Sequence, residues 1–102
     1  MTNMSTYIYV LNLIDHRKLG RMSPEEETVM SEHFERLKKA LTDGRLIFAG
    51  PCLDGAFGIV VFRARSEEEA REFMENDPAV KHGIMTATLH PFRVSLIENQ
   101  QT

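Results

Sequence analysis

Tyr7-Ile8-Tyr9-Val10-Leu11-Asn12-Leu13-Ile14 is the stretch on which the fold turns. It is rich in β-branched and aromatic residues. Alternation puts Ile8, Val10 and Ile14 on one face and Tyr7, Tyr9, Leu11 and Leu13 on the other, so the strand is expected to be covered on both sides. Those covers must be found within 102 residues, 42% of them hydrophobic. A compact chain of that length has a radius of gyration of only about 13 Å, which leaves little room for a deep cleft between two lobes of its own. Any sizeable pocket is expected to need a second chain.

Downstream, the polar segment Asp15 to Met22, with Gly20, reads as a loop. Ser23-Pro24-Glu25-Glu26 then opens a helix, with Ser23 as N-cap, Pro24 in the first turn and Glu26 completing a capping box. Met30, Phe34, Leu37 and Leu41 form one stripe along it, expected to be its core face, and Gly44 ends it. Leu46 to Ala49 and Phe57 to Phe62 read as the arms of a hairpin around Gly50-Pro51 and the turn signal Asp54-Gly55. Ser66 and Glu69 suggest a second capping box, followed by the helical stripe Ala70, Phe73 and Met74. Asn76-Asp77-Pro78 stops that helix, because the residue before a proline is pushed away from helical geometry. A short turn capped by Asp77 and closed by Gly83 is expected next. Met85 to Ile97 reads as a long strand interrupted at Pro91, where a bulge or sheet edge is required, and Glu98 to Thr102 is expected to fray.

Strand, helix, strand, strand, helix, strand is the ferredoxin-like βαββαβ plan: an α+β domain with a four-stranded antiparallel sheet and two helices on one face. One domain spanning residues 1–102, with its core over about 7–97, is expected. The helices cover only one face of strands that are apolar on both. A second copy of the sheet is the simplest cover for the other, which predicts a homodimer.

Composition narrows the function classes. Twelve basic and 15 acidic side chains, without basic clusters, give no footprint for nucleic acid. No apolar run approaches the roughly 20 residues that cross a bilayer, so no membrane partner is expected. Met1 to Thr6 lacks the basic and apolar regions of a signal peptide and Cys52 is the only cysteine, so a cytoplasmic, reducing setting is the expectation. His16, His33, His82 and His90 have no short ligand spacing and no thiolate cluster beside them, so no metal is expected. The glycines do not follow a nucleotide-loop spacing, and no cofactor is signalled.

Two polar residues stand where the helical stripes call for apolar ones. His33 lies three residues after Met30 and four before Leu37, beside the stripe of the first helix. Asp77 lies at the inward-facing end of the second. Both helices lie on one sheet face, so the two side chains can approach, and an imidazole partnered by a carboxylate is oriented and made more basic for acid/base work. Taken singly, each has a plainer explanation: His33 as a satisfied histidine at the core edge, Asp77 as an N-cap before Pro78. On pattern alone the plain readings outweigh the dyad. Cys52, near Gly50-Pro51, either lines a pocket or is inert packing.

His33-Phe34-Glu35-Arg36-Leu37-Lys38, Asp43-Gly44-Arg45-Leu46-Ile47-Phe48-Ala49-Gly50-Pro51, Asp54-Gly55, Ser66-Glu67-Glu68-Glu69-Ala70, Asn76-Asp77-Pro78, Gly83 and Pro91-Phe92-Arg93-Val94 together resemble the YciI-like (YCII-related) proteins over roughly Tyr7 to Leu96. The resemblance implies a ferredoxin-like protomer in a dimeric α+β barrel, with an active site around the helix histidine and the aspartate of the Asp-Pro motif, here His33 and Asp77. One activity known in that family is a dehydrochlorinase acting on a chlorinated hydroxyhydroquinone. Asp15 to Ser23 departs from the family pattern.

With the resemblance, the favoured expectation is a small-molecule enzyme, a cofactor-independent lyase or isomerase with His33 and Asp77 catalytic and Gly50 and Pro51 at the substrate. The alternative is a non-catalytic module of the same fold that binds a small ligand or a protein.

Overall fold

The computed structural model describes residues 3–98. Strand β1 (Ser5–Leu13) is followed by a 3-10 turn (His16–Lys18) and helix α1 (Pro24–Thr42). The hairpin β2 (Leu46–Pro51) and β3 (Gly58–Ala64) leads to helix α2 (Glu67–Glu75), the one-turn helix α3 (Pro78–Lys81) and strand β4 (Met85–Pro91). Among the described residues no helix is long and apolar enough to cross a membrane.

The helix starts follow their chemistry. The Ser23 hydroxyl accepts from the Glu26 amide at 3.1 Å, and the Glu26 carboxylate accepts from the Ser23 amide at 2.9 Å, a complete capping box. Ser66 caps α2 in the same way, accepting from the Glu69 amide at 3.0 Å. The second box is displaced by one residue: Glu69 takes the Arg65 amide instead, at 3.0 Å, and also pairs with the guanidinium groups of Arg45 and Arg65.

The sheet order is β2-β3-β1-β4, antiparallel throughout, with both longer helices on one face: the ferredoxin-like α+β arrangement. Register explains which side of each strand is buried. Tyr9 stands opposite Val60 on one side and Leu89 on the other, and Tyr7 stands opposite Phe62. Tyr7, Tyr9, Leu11, Val60, Phe62 and Ala64 therefore share the helix-covered face, where Leu37, Ala40, Ala70, Phe73 and Met74 close the core. Ile8, Val10, Ile59 and Phe48 lie on the opposite face, Phe48 41% exposed. The apolar strip on that side is flanked along β4 by Thr86, Thr88 and His90.

Two expectations need correction. The last strand does not run to Ile97; it ends at Pro91, opposite Tyr7 on the edge of the sheet, and residues 92–97 carry no regular structure. A proline has no amide hydrogen to extend the ladder, and Leu96 and Ile97 are exposed. Nor does the whole apolar stripe of α1 face the core: Phe34 is 59% and Leu41 55% exposed, while its member Leu37 is buried together with Ala40. The sheet-facing row is His33, Arg36, Leu37 and Ala40, rotated toward the more polar side of the helix. Of the segment expected to fray, Glu98 to Thr102, residues 99–102 lie outside the described residues.

Candidate functional site

Local chain chemistry delivers three side chains to one buried point. β1 carries Tyr9 inward by alternation, and Tyr9 is 0% exposed. α1 carries His33 on its sheet-facing row. After α2, Asn76 caps the helix and Asp77 turns to extended backbone (φ −61°, ψ 125°) ahead of Pro78. Asp77 must then cap α3, which turns its carboxylate toward the Ala79 amide and into the space between α1 and the sheet.

There the Asp77 carboxylate is fully partnered. It accepts from the Tyr9 hydroxyl at 2.6 Å, from the Ala79 amide at 2.9 Å and from His33 Nδ1 at 2.7 and 2.9 Å. Asp77 is the one polar residue that is fully buried among the described residues. An ionised carboxylate only accepts, so the proton of the neutral imidazole sits on Nδ1 and the Nε2 lone pair is left for a ligand.

Burial pushes the Asp77 carboxyl upward, but the hydrogen bonds from His33 and Tyr9, the His33 charge and the Ala79 amide outweigh it and hold the group below the ordinary carboxylate range. Tyr9 moves the opposite way. Burial first, then the Asp77 charge and hydrogen bond, raise the phenol far above its ordinary value, with the Arg36 guanidinium working against the rise. Tyr9 is therefore a hydrogen-bond donor at any working pH.

His33, with its side chain 13% exposed, forms part of the wall of a cavity of about 700 Å³. Leu11, Met30, Phe34, Leu41, Phe57 and Met85 give that wall its apolar character. Met30, Phe34 and Leu41 of the α1 stripe thus line the cavity, and Leu37 borders both cavity and core. Gly50, Pro51 and Cys52 line it too, so the structure gathers the expected substrate-side residues around His33, with Asp77 behind the ring. Leu19, from the loop after β1, closes part of the rim against Gly55: a Cβ on Gly55 would stand 2.5 Å from Leu19 Cδ2. Among the described residues no group of three or more His, Cys, Asp or Glu side chains is arranged to hold a metal ion.

Tyr9 and Arg36 are the members that sequence reading passes over. Each had a signal. A tyrosine in the middle of an inward-facing row must find a partner for its hydroxyl. Arg36, one turn on from His33, is a second polar residue on the sheet-facing side of the helix.

The YCII-related domain model matches residues 8–92, and the chain belongs to that family. No curated protein matches the chain.

Proposed function

We propose that this YCII-related protein is a small-molecule enzyme in which His33 and Asp77 form an acid/base pair, acting by elimination or isomerisation on a small, ring-shaped substrate of quinol or carbonyl type. The observation that carries the reading is the division of labour on one imidazole. Nδ1 is held at 2.7 Å by a wholly buried carboxylate while the ring borders an apolar cavity of about 700 Å³. A histidine kept only for packing does not require three donors gathered on its partner carboxylate.

In the proposed step, Nε2 takes a proton from a C–H or O–H of the substrate. The released electron pair forms an enolate or expels a leaving group such as chloride. Asp77 meets the positive charge that appears on the ring. In isomerisation the imidazolium returns its proton to another substrate atom; in elimination it gives it to solvent. The step is redox-neutral and calls on no cofactor. Gly50 and Pro51 contact the substrate, and the space beside Gly50, where nothing lies within 4 Å of a Cβ position, leaves room for it.

The same reading makes the chain one domain, with its core over 7–97, that works as a homodimer in a reducing, cytoplasmic setting. The uncovered strip Ile8, Val10, Ile59 and Phe48 is the surface the second copy would cover.

Turnover of a panel of hydroxylated, chlorinated quinols and enolisable ketones, followed by chloride release and mass spectrometry, tests the proposal. His33→Ala and Asp77→Asn should each abolish turnover in a folded protein. Equal turnover in either variant would refute the dyad. Retained ligand binding with no turnover in any form would favour the binding-module alternative.

A further inference from the structure

The wall of the cavity beside His33 is apolar almost throughout, and among the described residues no aspartate or glutamate stands in it. Besides His33 it holds one basic side chain, Lys38. Sites for small molecules are built in this way: apolar walls bind the body of the ligand, and a few polar or charged groups fix its orientation. His33 is held through Nδ1 by Asp77 at 2.7 Å, which leaves Nε2 for the reacting atom. Orientation of the ligand then falls to another group.

Lys38 is placed for that work. Its ammonium stands 5.6 Å from the centre of the Phe34 ring, which is itself part of the wall. A lysine stem lies along apolar surface while its charge stays in contact with water, and the Lys38 side chain is 57% exposed, so the charge sits where the wall meets solvent. Its ion-pair partner Glu35, at 3.2 Å, is 68% exposed and lies outside the wall. A pair so open to water is worth little, and an anion on a ligand competes with it readily. Arg36 and Arg45 do not share this role: both stack on the Phe73 ring, at 4.3 and 4.9 Å, away from the cavity wall. His33 and Lys38 are five residues apart on α1, about 7.5 Å along its axis, roughly the span of a benzene ring with substituents at opposite ends.

We propose that Lys38 anchors a negative group on the substrate, so that the cavity takes an organic anion: an apolar ring bearing a carboxylate or ionised phenol, one ring's length from the atom that meets His33. This rests on the reading of the cavity beside His33 as the substrate site, and it narrows the substrate class. A neutral ring of the same shape fills the apolar wall and forgoes the ion pair. A cation meets Lys38 with no carboxylate in the wall to offset the repulsion.

The test is the binding of three probes of one shape, naphthoate, naphthamide and naphthylmethylammonium, to the full chain, followed by NMR through the methyl signals of Met30 and Met85 on the cavity wall. Naphthoate should bind about fivefold more tightly than naphthamide, the upper end for an ion pair half open to solvent, and the ammonium most weakly. Lys38→Met and Lys38→Gln should each remove that preference, and Lys38→Arg should keep it. Glu35→Gln breaks the same surface ion pair but leaves the ammonium in place, so the preference should survive there. Absence of the preference in the parent, its persistence in Lys38→Met and Lys38→Gln, or an equal loss in Glu35→Gln overturns the proposal, as does binding that leaves Met30 and Met85 unmoved. The readout is binding: it can fail while His33 still turns over a neutral substrate, and it can hold in a protein that turns over nothing, so its failure is separate from a failure of the catalytic reading.

Discussion

Replacing Tyr9 by phenylalanine removes one oxygen from the centre of the site and little else. The ring keeps its contacts with Phe62 at 5.6 Å and Phe73 at 6.2 Å, so no cavity of side-chain size opens. What is lost is a 2.6 Å hydrogen bond to a charged acceptor. Bonds of that kind contribute about 1.5–3 kcal/mol, and the lower end applies because Asp77 Oδ2 keeps His33 Nδ1 at 2.9 Å. For a domain of this length, about 1.5 kcal/mol lowers Tm by about 6–12 °C. The pH dependence has a fixed sign. The Asp77 carboxyl is lower in the folded chain than its ordinary value of 3.8, so its contribution is complete above that value and is lost as pH falls through the depressed folded value. Taking away a donor moves the folded value back up, and the stability gap between the two proteins should therefore be full at neutral pH and close on acidification below 3.8. Thermal and urea unfolding at pH 7 and in acid measure it. A Tm loss under about 2 °C at pH 7, or a loss of the same size in acid, would refute the charge-assisted role of the Tyr9 hydroxyl.

Asp77→Asn offers His33 an amide donor in place of an acceptor, so the imidazole proton should move from Nδ1 to Nε2, and turnover should fall roughly 10²–10⁴-fold; ring-nitrogen chemical shifts report the tautomer independently of the rate. Gly55→Ala meets two obstacles, a φ of +78° and the Leu19 side chain, and should lose about 1–2 kcal/mol. Adding Leu19→Ala should recover the contact portion alone, which a double-mutant cycle in urea resolves. Val10→Asp on the uncovered face should give a folded monomer where the parent is a dimer by light scattering. A parent that is already monomeric contradicts the dimer proposal.

The order of elements was legible because each boundary carries its own chemistry: Ser23-Pro24-Glu25-Glu26, Gly44, Asp54-Gly55 and Asn76-Asp77-Pro78 each punctuate the chain where the structure does. His33 and Asp77 were legible because both are polar at inward positions. Their approach was legible too, from two helices on one sheet face; the rotation of α1 about its axis was not, and hydrophobic spacing placed Phe34 and Leu41 on the row that faces the sheet. Phe34 and Leu41 outnumber Ala40 in apolar surface, yet a small residue suits the close approach of α1 to the sheet, and the larger ones are left to wall the cavity. The true end of β4 was obscured by the alternation of Phe92, Val94 and Leu96, which has the period of a strand. Register decides the matter at Pro91, where the ladder stops. Tyr9 was read as core, which it is; its second role as a donor to Asp77 needed the third dimension.

The central claim is that His33 exchanges a proton with a molecule held in the cavity beside it. Solvent deuterium incorporation into a panel of enolisable ketones and hydroxylated quinols, followed by mass spectrometry with the parent protein and His33→Ala in D₂O, measures that step without requiring the natural substrate. The account predicts incorporation into at least one cavity-binding compound that the parent accelerates and His33→Ala does not. Compounds that bind beside His33, as shown by magnetisation transfer from the Leu11 and Met85 methyl groups, yet exchange no faster with the parent than with His33→Ala, would contradict it.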